Sequence, residues 1–279
     1  MRSAWEDPPE ARGVAFAGPT LTRVVKALLI ANVVLFVLHS VLLDVWFPRT
    51  FEFLSATFAL DPEAWQASFP LVPLWQLLSY GFLHGSVGHL LSNMLFLYFL
   101  GNMLEAEIGA RRFLVFYLVA LALAGACQLG LGLALGQSAR IVGASGGVLA
   151  VVFAMATLRP NLRILFIFVP LTLRTVALIH LAIDVLGVIG QLKGSAGGVA
   201  SFAHLTGAGL GFLAVRRSWI WHDPLAAAEA WRERRSQARA ASDEAQLDAL
   251  LVKIDREGIH TLSTRERTFL KRVSQRKQG

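Results

Sequence analysis

The chain has 279 residues, 55% of them hydrophobic and only 16% charged, with a mean hydropathy of +0.55. A soluble domain carries about 25% charged residues, so this composition excludes an ordinary soluble enzyme and a disordered chain. One cysteine, Cys127, excludes a disulfide framework and a thiolate zinc site. The net charge of +7 is not a nucleic-acid footprint, because residues 218–279 interleave 12 of the 26 Lys and Arg with 9 of the 19 Asp and Glu. The first 217 residues keep only 14 basic and 10 acidic side chains, the profile of a polytopic membrane protein with a soluble tail.

Residues 1–22 read as a polar, proline-bearing N-terminal segment without a small-residue cleavage site, so the first apolar run is expected to stay as an anchor. Residues 23–217 read as one membrane domain. A spanning helix needs roughly 20 mostly apolar residues. Six segments qualify or nearly so: about 25–43, 87–105, 113–135, 142–158, 175–191 and 200–216. The short ones imply bilayer thinning or helices that start inside protein. The loop at about 44–83 carries Trp46, Phe47, Phe51, Phe53, Phe58, Trp65, Phe69 and Trp75. It reads either as a structure lying in the membrane interface or as a simple aromatic belt. Residues 162–173 are apolar but hold Pro170, which points to a re-entrant or interfacial connector rather than a span.

Basic residues orient the chain. With the N-terminus inside, Arg2, Arg12, Arg23, Lys26, Arg111, Arg112, Arg159, Arg163, Arg174, Arg216 and Arg217 fall on the inner side. Only Arg49, Arg140 and Lys193 fall on the outer side. Both termini are then expected in the cytoplasm of a cell whose inner membrane holds the domain.

Polar side chains within spans are costly and mark function by default. The second span opens with His84, His89 and Asn93. The fourth opens with Ser145 in Gly143-Ala144-Ser145-Gly146-Gly147. The sixth opens with His204 in Ser201-Phe202-Ala203-His204-Leu205-Thr206-Gly207. Even-numbered spans all run in one direction, so these groups share one layer, on the order of 5 Å below the outer end. His89 and Asn93, four apart, share a helix face.

Ser, His, His and Asn in one layer suffice for nucleophilic catalysis. A serine hydroxyl needs a base, and His204 is placed to serve. The oxyanion needs donors, which His89, Asn93 and the Ser145 amide can supply. Asp184 lies too late in the fifth span to claim as a third member, so His204 is expected to be oriented by packing. His39 and His180 are assigned no partner. Gly146, Ala150 and Ala154 form one small-residue stripe and Gly207 with Gly211 another, which lets spans four and six approach closely.

At these residues the chain resembles the rhomboid family of intramembrane serine proteases, over roughly residues 20–216. The matching patterns are His84, His89 and Asn93; Gly143-Ala144-Ser145-Gly146; and Ala203-His204 with Gly207 and Gly211. Gly101, Glu105 and Gly109-Ala110-Arg111-Arg112 also match, as does Trp75, nine residues before His84. The resemblance implies an all-α, six-span bundle that cleaves transmembrane helices of other proteins near their outer ends. It implies Ser145 as nucleophile, His204 as general base, His89, Asn93 and the Ser145 amide as oxyanion stabilisers, and His84 as structural support. No cofactor or metal is expected. Two positions depart from the family: Gln76 stands for an Arg in the first loop, and Leu149 stands where some members stack a Tyr on the histidine.

Other readings are a non-proteolytic relative that binds membrane clients, a small transporter, or a membrane acyltransferase. Clustering of the polar groups at one end, with none to match in the inner half, argues against a transporter.

Residues 218–279 read as a basic helical tail. A first helix is expected to run to about residue 240. Ser242 is expected to cap a second, with Leu247, Leu250, Leu251 and Ile254 as its apolar stripe and Gly258 as its stop. Ser263-Thr264-Arg265-Glu266 reads as a capping box for a third, with Phe269, Leu270 and Val273 turned inward. Its expected contacts are anionic lipid headgroups or, less favoured, a cytoplasmic partner.

Overall fold

The computed structural model describes residues 21–166, 169–194, 200–223 and 225–278. Expectations for residues 1–20, Arg2 and Arg12 included, fall outside these. The chain divides into two units, Met1–His222 and Asp223–Gly279.

The first unit is an all-α membrane fold. Helix α1 (Arg23–Phe36) continues through a π-helical stretch, Val37–Leu43, into α2 (Asp44–Trp46). Its first amides have no cap of their own. They are satisfied by Glu105, whose Oε1 accepts from Val24 N (3.0 Å) and whose Oε2 accepts from Val25 N (2.8 Å). Three helices follow in the first loop: α3 (Pro48–Phe58), α4 (Pro62–Ala67) and α5 (Gln76–Ser79). Proline opens both α3 and α4, where its missing N–H costs nothing. Helices α6 (Val87–Phe96) and α7 (Asn102–Ile108) form one rod through a π turn, Leu97–Gly101. Gly109, at φ +86°, ends that rod and starts α8 (Ala110–Ala134). Then come α9 (Ser145–Leu158), strands β1 (Arg163–Phe166) and β2 (Val169–Thr172), α10 (Leu173–Leu192) and α11 (Ser201–Arg216).

Among the described residues, four rods are long and apolar enough to cross a membrane: Arg23–Trp46, Val87–Ile108, Ala110–Ala134 and Leu173–Leu192. Helices α9 and α11, with 14 and 16 residues, reach only about 21 and 24 Å, short of a hydrocarbon core of about 30 Å. The six expected spans are therefore four long rods and two short ones. Ten of the 14 residues of α9 are buried, because a helix with no charge and many small residues is apolar on every face. It packs against α11, α8, α10 and α6 and forms the centre of the domain. On α11, a methyl placed on Gly211 would lie 2.1 Å from the Ala150 carbonyl oxygen, so the small-residue stripes do bring these backbones together.

The connector at 162–173 is an antiparallel hairpin, pairing Arg163 with Thr172 and Leu165 with Pro170. Both strands are edges, where proline is tolerated. The first loop is a set of packed helices that also presents Trp46, Phe47, Phe53, Phe69 and Trp75 to the surroundings. The loop is thus folded and also displays aromatic side chains.

In the second unit, α12 (Ala226–Glu257) is a single helix of 32 residues followed by α13 (Thr264–Gln278). The expected break at Ser242 is absent: Ala240 and Ala241 precede it and nothing nearby stops a helix, so the run passes through. Gly258, at φ +88°, does end α12. The capping box forms, with Glu266 N donating to Ser263 Oγ (3.3 Å) and Ser263 N donating to Glu266 Oε2 (2.7 Å). Leu250, Leu262 and Phe269 are buried together, with Leu247, Ile254, Leu270 and Val273 partly buried around them. Leu251, expected inside, is 52% exposed.

Candidate active site

Ser145 is the first residue of α9, after Ala144, rather than a few residues into a helix. Its position is set by the strand-like segment before it. Leu60 and Ile141 exchange two backbone hydrogen bonds, and Gly143 N donates to the Tyr80 carbonyl (2.9 Å). The Tyr80 hydroxyl in turn donates to the Leu121 carbonyl on α8 (2.8 Å). First-turn amides of α9 have no intrahelical acceptor and are free to bind developing negative charge.

His204 is the fourth residue of α11. Ala200 offers that helix no side-chain cap. Gln128 of α8 supplies one instead, its Oε1 accepting from Ala203 N (3.1 Å). The packing of α9 on α11 brings His204 Nε2 to 2.7 Å from Ser145 Oγ, across 59 positions of sequence.

The second ring nitrogen of His204 is also engaged. Nδ1 lies 2.8 Å from Asp184 Oδ1, on α10. The expectation that packing alone orients His204 is therefore corrected: a carboxylate holds it. A signal for Asp184 is present in the sequence. His180, Asp184, Gly187 and Gln191 follow at intervals of four, three and four, which places them on one face of α10. His180 also departs from its expected lack of a partner, since its Nδ1 lies 3.0 Å from the Val176 carbonyl and its ring meets Phe96 edge-on. His39 is likewise engaged, with Nε2 3.0 Å from Ser55 Oγ.

His89 and Asn93 are brought to the same place. Ser86 caps α6 by accepting from His89 N (3.1 Å), and Asn93 Nδ2 donates to the His89 carbonyl (3.0 Å). A cavity of about 680 Å³ is lined by His89, Asn93, Ser145, Leu149, Asp184 and His204, with His180, Gln191 and Arg140 also on its wall. His84 stands behind this wall. It is buried, and its ring meets that of His89 edge-on at 5.1 Å between centroids. Gly143 adopts φ +125°, and a Cβ there would fall 2.6 Å from the His89 ring. Gly146 packs against Ala124, and Gly207 and Gly211 face α9 backbone.

Gln76 is the hub of the first loop. It is 1% exposed. Its Oε1 accepts from Asp61 N (3.1 Å) and Trp65 Nε1 (3.0 Å), and its Nε2 donates to the carbonyls of Ala56 and Thr57 (3.2 Å each). An amide, donor at one end and acceptor at the other, thus replaces the expected arginine in anchoring the loop. Beside the cavity, Arg140 binds Glu52 Oε1 (2.6 Å) and Asp61 Oδ2 (2.8 Å). The bond to Glu52 and then that to Asp61 hold the guanidinium above its ordinary pKa.

The chain matches the family described as "Rhomboid domain" over residues 72–219, which is more than half its length and contains Ser145, His204, His89, Asn93 and Asp184. A curated relative, RHOMBOID-like protein 4 of Arabidopsis thaliana, is 34% identical over 142 residues. That alignment takes in 50% of this chain and 32% of the plant protein, so the match spans about a third of the relative's length.

Proposed function

The chain belongs to the rhomboid family, and from that premise we propose that it is an intramembrane serine endopeptidase working through Ser145 and His204. The observation that carries this reading is the 2.7 Å contact between His204 Nε2 and Ser145 Oγ at the wall of a cavity. In the proposed reaction Ser145 Oγ attacks a substrate carbonyl while His204 Nε2 takes its proton. The tetrahedral oxyanion is met by the Ser145 amide at the start of α9 and by the Nδ2 proton of Asn93 that His89 O does not use, with His89 beside them. His204 then gives its proton to the leaving amine. A water, deprotonated by the same imidazole, hydrolyses the acyl-enzyme and restores Ser145.

The substrates of this reading are transmembrane helices of other proteins, cut near their outer ends where the layer of reacting groups lies. Glycine-lined walls favour small residues at the cleaved bond. The setting is the inner membrane of the cell, with both termini cytoplasmic and the basic tail near anionic lipid or a cytoplasmic partner. No role with nucleic acid is proposed.

The test is labelling of the detergent-solubilised protein by a fluorophosphonate probe, which needs an activated serine but no known substrate. Wild-type protein should label, and Ser145→Ala and His204→Ala should not. A folded wild type that stays unlabelled with the cavity open to the probe would favour the client-binding, non-proteolytic reading.

A further inference from the structure

We propose that Asp184 is a positioning residue for the general base, so that this chain runs on a serine–histidine–aspartate triad rather than on a pair. The inference rests on the protease reading above and adds a residue to the same site.

Proton accounting makes the case. An ionised carboxylate only accepts hydrogen bonds. The 2.8 Å contact between Asp184 Oδ1 and His204 Nδ1 therefore places the imidazole proton on Nδ1. Nε2 is left with its lone pair, and it is Nε2 that lies 2.7 Å from Ser145 Oγ. One contact selects the tautomer that the other requires. With the proton on Nε2 the histidine would face the serine as a donor and could not accept from it. As Ser145 gives up its proton, the imidazole becomes a cation beside an anion already in place.

The surroundings support a dedicated pairing. The Asp184 side chain is 6% exposed on a helix long and apolar enough to cross a membrane. Such a carboxylate is strongly disfavoured without a partner, and the partner that meets it is the His204 ring, by a hydrogen bond at 2.8 Å. The two helices are held in register one turn further along. A Cβ on Gly187 would lie 2.1 Å from Ser201 Oγ, so Gly187 lets α10 close on α11. Asp184 and Gly187 are three apart, as are Ser201 and His204, so one close contact fixes the other. Leu149, one turn after Ser145, offers no ring to hold the histidine.

Other groups that could act on His204 line the same cavity: His89 on α6, His180 on α10 and Arg140 before α9. Of these, Arg140 is already paired with Glu52 and Asp61. Asp184 is the carboxylate among them.

The test is the rate of fluorophosphonate labelling of the full chain across pH, for wild type, Asp184→Asn, Asp184→Glu and Ser145→Ala, each expressed per folded molecule. Asparagine can donate to Nδ1 and so favours the wrong tautomer. Labelling by Asp184→Asn is expected to fall roughly a hundred- to ten-thousand-fold at neutral pH. The acid limb of its pH–rate profile should also differ from that of the wild type, which a merely structural role would not move. Asp184→Glu should recover part of the rate and the wild-type limb. If Asp184→Asn does not fold, Asp184→Glu decides: a lowered rate with an unmoved limb supports positioning, and an unchanged rate overturns it. A folded Asp184→Asn that labels within threefold of wild type, with an unmoved limb, overturns the triad. If Ser145→Ala is silent in that same experiment, the two-residue reading survives. A folded wild type that does not label at all overturns both.

Discussion

A methyl group on Gly207 would lie 2.1 Å from the carbonyl oxygen of Gly146, which places the α11 backbone directly against the residue that follows Ser145. No side chain beyond hydrogen fits there, and the obstruction would be backbone, which cannot rotate away. Gly207→Ala should therefore separate α9 from α11 at the site itself. Overpacking of this kind costs about 1–3 kcal/mol. A displacement of about 1 Å between reacting groups costs on the order of a hundredfold in rate. Thermal unfolding in detergent and the probe-labelling rate should both fall for Gly207→Ala. Gly209→Ala, on the same helix with nothing within 4 Å of its added methyl, should leave both unchanged.

Gly143→Ala addresses a different part of the site. The substitution forces an alanine into φ +125° and sets its Cβ 2.6 Å from the His89 ring. Backbone strain of this type costs about 1–3 kcal/mol. The ring must also move, which disturbs the His89 side of the cavity and leaves the contact between Ser145 and His204 in place. The expected outcome is slower acylation with serine still required, measured as the labelling rate of Gly143→Ala beside that of Gly143→Ala with Ser145→Ala.

Gln76→Ala should unfasten the first loop. It removes the acceptor used by Asp61 N and Trp65 Nε1 and the donor used by two carbonyls. A buried polar group left unsatisfied costs about 1–3 kcal/mol. With partial relaxation, a net loss of about 2–4 kcal/mol is expected, read as a lower unfolding temperature. Gln76→Glu keeps the acceptors and loses the donors, so it should also destabilise, because a carboxylate would face the Ala56 and Thr57 carbonyls.

The tail carries a pH dependence of known sign. Hydrogen bonds from Ser263, then Lys253, hold Glu266 at a pKa of about 2, below its ordinary 4.5. A carboxylate with a depressed folded-state pKa stabilises the fold above its unfolded value and loses that contribution as the pH falls through the folded one. Amide protection near residues 262–270 in the full chain, taken relative to the intrinsic exchange rate at each pH, should therefore fall between about pH 4.5 and pH 2. Glu266→Gln should flatten this dependence, and Lys253→Ala should flatten it only in part, since backbone and hydroxyl donors from Ser263 remain.

How far the sequence could be read depended on period and direction. Ser145, His89, Asn93 and His204 were legible because they open runs whose direction follows from counting spans. Asp184 is harder to see, because it lies late in its run. The same counting makes the fifth run antiparallel to the fourth and sixth, so its late residues share their layer. The face formed by His180, Asp184, Gly187 and Gln191 carried the same message. The break expected at Ser242 failed for another reason: a good capping residue starts a helix only where the preceding residues stop one, and alanines there do not. What tied Gln76 to four partners could not be read at all, since its partners lie 11 to 20 positions away on or beside the short helices α3 and α4, whose placement against α5 no sequence period fixes.

His204 is held from both sides, by α9 through Ser145 and by α10 through Asp184, and α11 follows both of them in the chain. During synthesis the serine thus emerges 59 residues ahead of the histidine that arms it. On the protease reading proposed above, a chain with this order of parts would stay inert while its own helices are being threaded into the bilayer, and would gain its reactivity only when α11 is seated.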